Sequence, residues 1–221
     1  MNKIRLSISI FVLFCTTVLS ANAQDVKGDA KAGEKKIALC LGCHGINGYQ
    51  ASFPEIYKVP KISGQGAKYV VSALTAYKKG DRKHPTMGGI ALGLSDQDIA
   101  DLAAYYEVLG KVDSGPVPAK AVAGNAIAAE LVKKGACVSC HGENFSKPID
   151  PSFPKIAGQH ADYLFVALKS YKSQGNSTWG RSHPVMGGVA KPFSNAEMKE
   201  LANYIGSLPG ELQTVQPNRF R

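Results

Sequence analysis

Four of the chain's five cysteines fall into two pairs, each closed by a histidine: Cys40-Leu41-Gly42-Cys43-His44-Gly45 and Cys137-Val138-Ser139-Cys140-His141-Gly142. Two cysteines three apart at a helix end reach both vinyl groups of one haem and form thioethers with them. The adjacent histidine then lies beneath the iron as its proximal ligand, and the cofactor is held irreversibly. Other chemistries also use paired cysteines. A zinc site made from two such pairs wants them about 15–20 residues apart, and these are separated by most of a domain. A thioredoxin-like redox pair belongs in a βαβ setting that the sequence lacks. Two local disulfides remain the alternative for an exported chain. Two covalent haem c groups, one on Cys40 and Cys43 and one on Cys137 and Cys140, account for His44 and His141 as well.

Each iron then needs a sixth ligand. Met87 and Met186 occupy equivalent positions in two His-Pro-x-Met-Gly-Gly segments, read here as loops whose paired glycines let the backbone pass close to a flat cofactor. A thioether is a soft ligand that favours ferrous iron, so His/Met ligation raises the reduction potential. With both axial positions filled by protein, no site is left open to substrate. That favours outer-sphere electron transfer over catalysis such as a dihaem peroxidase would perform. Methionine is elsewhere a filler of cores, the reading given to Met198, which has no methionine counterpart in the other copy. His84 and His183 compete with the methionines, since they repeat too and would give bis-His iron.

Other groups are expected around the ligands. A ligating imidazole donates its second ring N–H to an acceptor such as a carbonyl, and the carbonyls of Pro60 and Pro154 are the candidates. Arg82 and Arg181 precede the methionine segments and pair with propionates or stand as exposed loop arginines. Tyr105 and Tyr204 repeat on the last helix as packing or as haem contacts. Trp179, the chain's one tryptophan, flanks the second haem edge or a docking surface.

The elements that must position these residues are written twice. The cysteine motif recurs after 97 residues, Pro60-Lys61-Ile62-Ser63-Gly64-Gln65 recurs after 94 as Pro154-Lys155-Ile156-Ala157-Gly158-Gln159, and the methionine segment recurs after 99. Three blocks in one order describe a duplicated domain. Each copy is expected to hold three helices. The first is opened by Asp29 or Asn125 and runs to the cysteine pair. The middle one, about Ala67 to Lys79 in the first copy, carries Tyr69, Ala73, Leu74 and Tyr77 at helical spacing. The last begins after Ser95 or Ser194, and Gly110 and Pro209-Gly210 supply stops. No segment alternates like a strand. The expectation is an all-α protein of two tandem domains, 24–111 and 124–221, joined by a Pro/Gly-containing linker at 112–123, each domain wrapped around one covalent haem.

The first twenty-three residues read as a secretory signal: Lys3 and Arg5, an apolar run from Leu6 to Leu19, and Ala21-Asn22-Ala23 before the cut. The run is short of the roughly 20 residues of a spanning helix. Phe14 is too bulky to precede a lipidated cysteine, so Cys15 leaves with the signal. The mature chain is expected to be periplasmic, with no transmembrane helix and at most peripheral membrane association. It keeps 24 basic and 17 acidic residues. Basic charge suits nucleic acid, anionic lipid or an acidic protein, but the lysines are dispersed and no nucleic-acid motif accompanies them. Residues 24–113 carry a formal +2 and 114–221 a formal +5, an asymmetry able to orient the molecule on a redox partner.

The two C-x-x-C-H motifs, the repeated P-K-I-x-G-Q blocks before tyrosine-bearing helices, and the His-Pro-x-Met-Gly-Gly segments leading to Leu-Ala-Ala-Tyr-Tyr or Leu-Ala-Asn-Tyr together resemble the dihaem cytochrome c4 family across essentially the whole mature chain. The resemblance implies two class I cytochrome c domains related by a pseudo-twofold, with propionates near their interface and His/Met ligation at both irons. It implies electron transfer in the periplasm between a donor such as a cytochrome bc1 complex and an acceptor such as a terminal oxidase. One departure is visible: the interval from His44 to Pro60 is three residues longer than that from His141 to Pro154. The repeat also fits dihaem subunits of larger enzymes, such as that of flavocytochrome c sulfide dehydrogenase.

Overall fold

A computed structural model of the chain describes residues 26–109, 116–173 and 175–216. The expected signal peptide and its cleavage after Ala23, the stop at Gly110 and the start of the linker lie outside the described residues. In the first copy the elements are α1 (Ala30–Glu34), α2 (Ala38–His44), β1 (Gln50–Ala51), β2 (Tyr57–Lys58), α3 (Ala67–Lys79), β3 (Arg82–Lys83), α4 (Pro85–Leu92) and α5 (Asp96–Leu109). The second copy has α6 (Ala126–Lys134), α7 (Val138–His141), α8 (Ala161–Ser170), β4 (Gly180–Arg181), α9 (Pro184–Ala190) and α10 (Asn195–Ser207). The described residues are all-α apart from these two-residue strands.

The expected caps are in place. Asp29 accepts from the backbone N–H of Lys31 and Ala32, Asn125 from Ala128, and Ser194 forms a reciprocal capping box with Glu197. Two expectations are corrected. The helix leading to each cysteine pair is interrupted, so the motif rides on its own short helix. In the first copy the break at residues 35–37 turns Ile37, 1% exposed, into the core. In the second it follows Gly135, with Ala136 at a positive φ of 47°. The methionine segments, expected as loops, are the helices α4 and α9. The histidine that opens each one caps it, the His84 and His183 Nδ1 atoms accepting from the backbone N–H of Met87 and Met186. The following proline occupies the first turn, where its missing N–H costs nothing.

Close packing fixes the motif helices against the last helix of each copy. A Cβ on Gly33 would lie 2.1 Å from the Asp101 carbonyl oxygen of α5, so α1 rests directly on that backbone. The first core joins Ile37 and Leu41 to Leu102, Tyr105 and Tyr106. The second joins Phe145, Ala157 and Leu164 to Ala202, Ile205 and Leu208, with Leu131, Phe193, Met198 and Leu201 beside it. Met198 is packing, as expected, and Tyr105 is a core residue. Tyr204 packs on Phe145 and donates its hydroxyl to the Val122 carbonyl. That bond pins the described part of the linker to the second copy, as do Ala121 N–H to the Glu143 carbonyl and the Asn144 side chain to the Pro118 carbonyl.

The two copies meet across a pseudo-dyad. β3 pairs antiparallel with β4, and Arg82 stands opposite Arg181, its own counterpart in the repeat. The P-K-I-x-G-Q blocks clasp each other reciprocally. Gln159 accepts from the Lys61 N–H at 3.0 Å and donates to the Lys61 carbonyl at 2.9 Å, while Gln65 does the same to Lys155, both at 3.0 Å. The Lys61 ammonium reaches the Gly158 carbonyl and the Lys155 ammonium the Gly64 carbonyl. The three extra residues of the first copy belong to the β1–β2 hairpin. That arm docks on α8 through Lys58 to Asp162, Glu55 to Lys169, and Tyr57 against Tyr163.

Candidate haem-binding sites

The α2 and α7 helices end on His44 and His141, and each ring is held in one orientation. His44 Nδ1 is 2.8 Å from the Pro60 carbonyl oxygen and His141 Nδ1 is 3.0 Å from that of Pro154. A carbonyl only accepts, so Nδ1 carries the proton and the Nε2 lone pair is left for a metal. Burial pushes both imidazoles below the ordinary histidine pKa, outweighing the carbonyl bond that would raise it. Each histidine is thus a neutral, oriented donor. The longer interval in the first copy leaves this bond intact, because the added residues are taken up by the β1–β2 arm.

The residues around these rings fit a covalent haem in each copy. Cys40, Cys43, Cys137 and Cys140 are all free thiols and half-buried. Burial raises the Cys40 and Cys137 pKa and keeps both thiols protonated. Among the described residues no group of three or more His, Cys, Asp or Glu is arranged to hold a metal ion. The first copy's middle helix, α3, spans Ala67–Lys79 as expected. Tyr69, Ala73, Leu74 and Tyr77 share one face of α3, yet no residue of that helix is buried by protein. An apolar face only half covered by protein leaves room for a large flat cofactor.

Arg82 and Arg181 are not exposed loop arginines. They are half-buried side by side at the pseudo-dyad, each stacked on the tyrosines of its own copy: Arg82 over Tyr69 and Tyr77, Arg181 over Tyr163 and Tyr171. Tyr163 accepts from Arg181 at 2.9 Å and from Arg82 at 3.5 Å. Burial alone would raise the Tyr163 phenol, but the two guanidiniums outweigh it and hold its pKa at about 8. Neither arginine is paired with a carboxylate among the described residues, and Arg82 Nε is buried without a partner. Two adjacent cations lacking a carboxylate partner suit one propionate from each haem. Trp179 lines a small notch between the copies with Tyr57, His84 and Arg181.

The sequence reading missed the roles of Lys61, Gln65, Lys155 and Gln159. Both glutamines are almost fully buried, at 4% and 5% exposure. Their signal was present, since polar residues repeated inside an apolar block have no packing reason to recur. Met87 and Met186 are half-buried in matching first turns of α4 and α9.

Comparison with known proteins agrees with this construction. The cytochrome c family model matches the chain twice, over residues 30–108 and 122–209. Cytochrome c4 of Stutzerimonas stutzeri is 34% identical over 82% of this chain and 90% of its own length. The crystal structure of reduced recombinant cytochrome c4 from Pseudomonas stutzeri superposes with a TM-score of 0.57 at 31% identity, covering 82% of this chain and 99% of that one. A thiosulfate dehydrogenase electron acceptor from Stutzerimonas stutzeri strain A1501 is 29% identical over 90% of this chain and 94% of its own. The chain therefore belongs to the cytochrome c4 family: it is an electron carrier of two tandem cytochrome c domains that binds two covalent haem c groups, one at each C-x-x-C-H motif.

Proposed function

We propose that the protein is a periplasmic shuttle in which His44 and Met87 ligate one iron and His141 and Met186 the other, with Pro60 and Pro154 orienting the histidines. Bound haem supplies a one-electron ferric/ferrous couple at each site. The chain's own residues do the rest. Pro60 and Pro154 fix the proximal rings, and the His84 and His183 caps bring Met87 and Met186 into the first turn of a helix. Using their Nδ1 atoms as caps leaves these two histidines poorly placed as ligands, which favours methionine. Gly88, Gly89 and Gly188 have no protein atom within 4 Å of where a Cβ would stand, so close approach of the cofactor is the reason left for glycine there. Arg82 and Arg181 receive propionates near the interface.

The observation that carries the reading is the pair of oriented histidines, related by the pseudo-dyad and each with a repeated methionine in the same copy. Domains 24–111 and 124–221, joined at 112–123, enter the periplasm after cleavage behind Ala23. No helix among the described residues is long and apolar enough to cross a membrane. The donor is a cytochrome bc1 complex and the acceptor a terminal oxidase. Adding the ferrous holoprotein to membranes that retain the oxidase should accelerate oxygen uptake; ferrous protein that stays reduced in their presence would overturn the assignment. The similarity to a thiosulfate dehydrogenase electron acceptor favours a second reading, in which a periplasmic dehydrogenase is the donor. Reduction of the ferric protein by such an enzyme and thiosulfate would select it.

A further inference from the structure

The carbonyl that accepts from His44 and the N–H of Lys61 belong to a single peptide group. At 2.8 Å the Pro60 oxygen takes the His44 ring proton, and on the same peptide the Lys61 N–H donates at 3.0 Å to the side-chain oxygen of Gln159. Gln159 comes from the other domain. The mirror arrangement runs from His141 through the Pro154–Lys155 peptide, at 3.0 Å, to Gln65 at 3.0 Å. Each glutamine is held in place by a second bond to the carbonyl of the same lysine.

We propose that Gln159 and Gln65 are positioning residues that each set the potential of the haem in the opposite domain. The proposal rests on the reading of His44 and His141 as iron ligands. The physical link is polarisation along a hydrogen-bonded chain. An amide whose N–H is engaged has a more negative carbonyl oxygen, which is a stronger acceptor. A stronger acceptor draws the Nδ1 proton, gives the ring more imidazolate character and makes Nε2 a better donor to ferric iron. Docking of the two domains therefore lowers both potentials, and it does so crosswise. The chain is shielded from water at its far end, since both glutamines are buried.

The test is a redox titration of the haem-loaded full chain carrying Gln159→Leu or Gln65→Leu, the two haems being assigned with the single Met87→His and Met186→His variants. Gln159→Leu should raise the potential of the His44 haem alone, and Gln65→Leu that of the His141 haem alone. The expected change in the ferrous/ferric ratio at fixed ambient potential is roughly threefold to tenfold, below the 10–100-fold effect of removing a direct partner of a metal ligand. Tenfold corresponds to about 59 mV for one electron. A control that breaks another interdomain contact without changing net charge, Glu55→Gln with Lys169→Met, should move neither.

A shift in the glutamine's own domain, equal shifts in both, or none would overturn the proposal. If a leucine variant fails to dock, Gln159→Glu keeps a stronger acceptor for the Lys61 N–H while losing the amide donor to the Lys61 carbonyl. It should lower the His44 haem potential, and an unchanged or raised value counts against the idea. Near-infrared ligand bands recorded on each sample separate the two levels. Intact His/Met bands without the crossed shifts refute only this inference, whereas their absence in the unsubstituted protein refutes the ligand assignment beneath it.

Discussion

Arg82 and Arg181 are direct register partners in the short ladder that joins the two domains, and each is the other's counterpart in the duplicated sequence. Two equivalent residues facing each other mark where the pseudo-dyad passes. They also place two guanidiniums together in a tyrosine-lined interface with no carboxylate among the described residues to offset them. The site is thus preset for anions, and the two guanidiniums can offset one proposed propionate from each haem.

Replacing either arginine with methionine removes a positive charge near the haems while keeping much of the apolar stem's packing. Positive charge favours the ferrous state, so Arg82→Met and Arg181→Met should each lower a reduction potential. The size should be some tens of millivolts, the effect of one charge at roughly 10 Å and an effective dielectric near 20. Protein-film voltammetry at moderate ionic strength measures it, and unchanged potentials would remove both arginines from the propionate environment.

The contact between α1 and α5 tolerates no side chain at Gly33, because the atom it would strike is backbone. Gly33→Ala should therefore destabilise the first domain by about 1–3 kcal/mol, the range for overpacking a filled site. Chemical denaturation followed by circular dichroism reads this directly. Gly93→Ala, where the nearest atom is an ordinary 3.6 Å from the added Cβ, should cost much less.

The methionine assignment makes a prediction specific to each copy. Met87→His should convert only the first haem to bis-His ligation, and Met186→His only the second. Each should lower the affected potential by about a tenth to a third of a volt, within the roughly 0.8 V that axial ligands span. Loss of half the methionine–iron charge-transfer absorption should accompany each change. Retention of the full band would show that the substituted methionine was not a ligand.

Part of the second domain's acid sensitivity should be traceable to one helix cap. The Lys134 ammonium, with the backbone and hydroxyl of Ser194, holds the Glu197 carboxyl at about 2, below its ordinary 4.5. A carboxyl with a depressed folded pKa adds stability that is complete above the unfolded value and disappears as pH falls through the folded one. Glu197→Gln should thus be less stable than the unsubstituted protein at pH 6, with the gap closing between about pH 4.5 and 2. Thermal melts across that window check it; a gap independent of pH would assign the effect to packing.

Much of this molecule is legible in its sequence because the duplication provides an internal control. The cysteine pairs, His44, His141 and the orienting carbonyls of Pro60 and Pro154 follow from motif spacing, and Asp29, Asn125 and Ser194 announce their helices by capping chemistry. Less legible were the α4 and α9 helices. Their His-Pro-x-Met-Gly-Gly sequences read as loops because two glycines weigh against a helix, and the histidine cap that overrides them is an uncommon one. The interface residues Lys61, Gln65, Lys155 and Gln159 were hidden for another reason. Their partners lie 90 to 98 positions away, and local pattern carries no trace of a contact that depends on how two domains dock. The same holds for Arg82 and Arg181, which sequence alone left undecided between surface and site.

Two closed, equivalent iron sites are the centre of the proposed function, and a spectroelectrochemical titration with near-infrared detection tests them directly. It should reveal two one-electron haems, both with the methionine–iron band in the ferric state, and ferrous protein that does not take up carbon monoxide. A bis-His signature at either site, a single titrating haem, or ready carbon monoxide binding would contradict it.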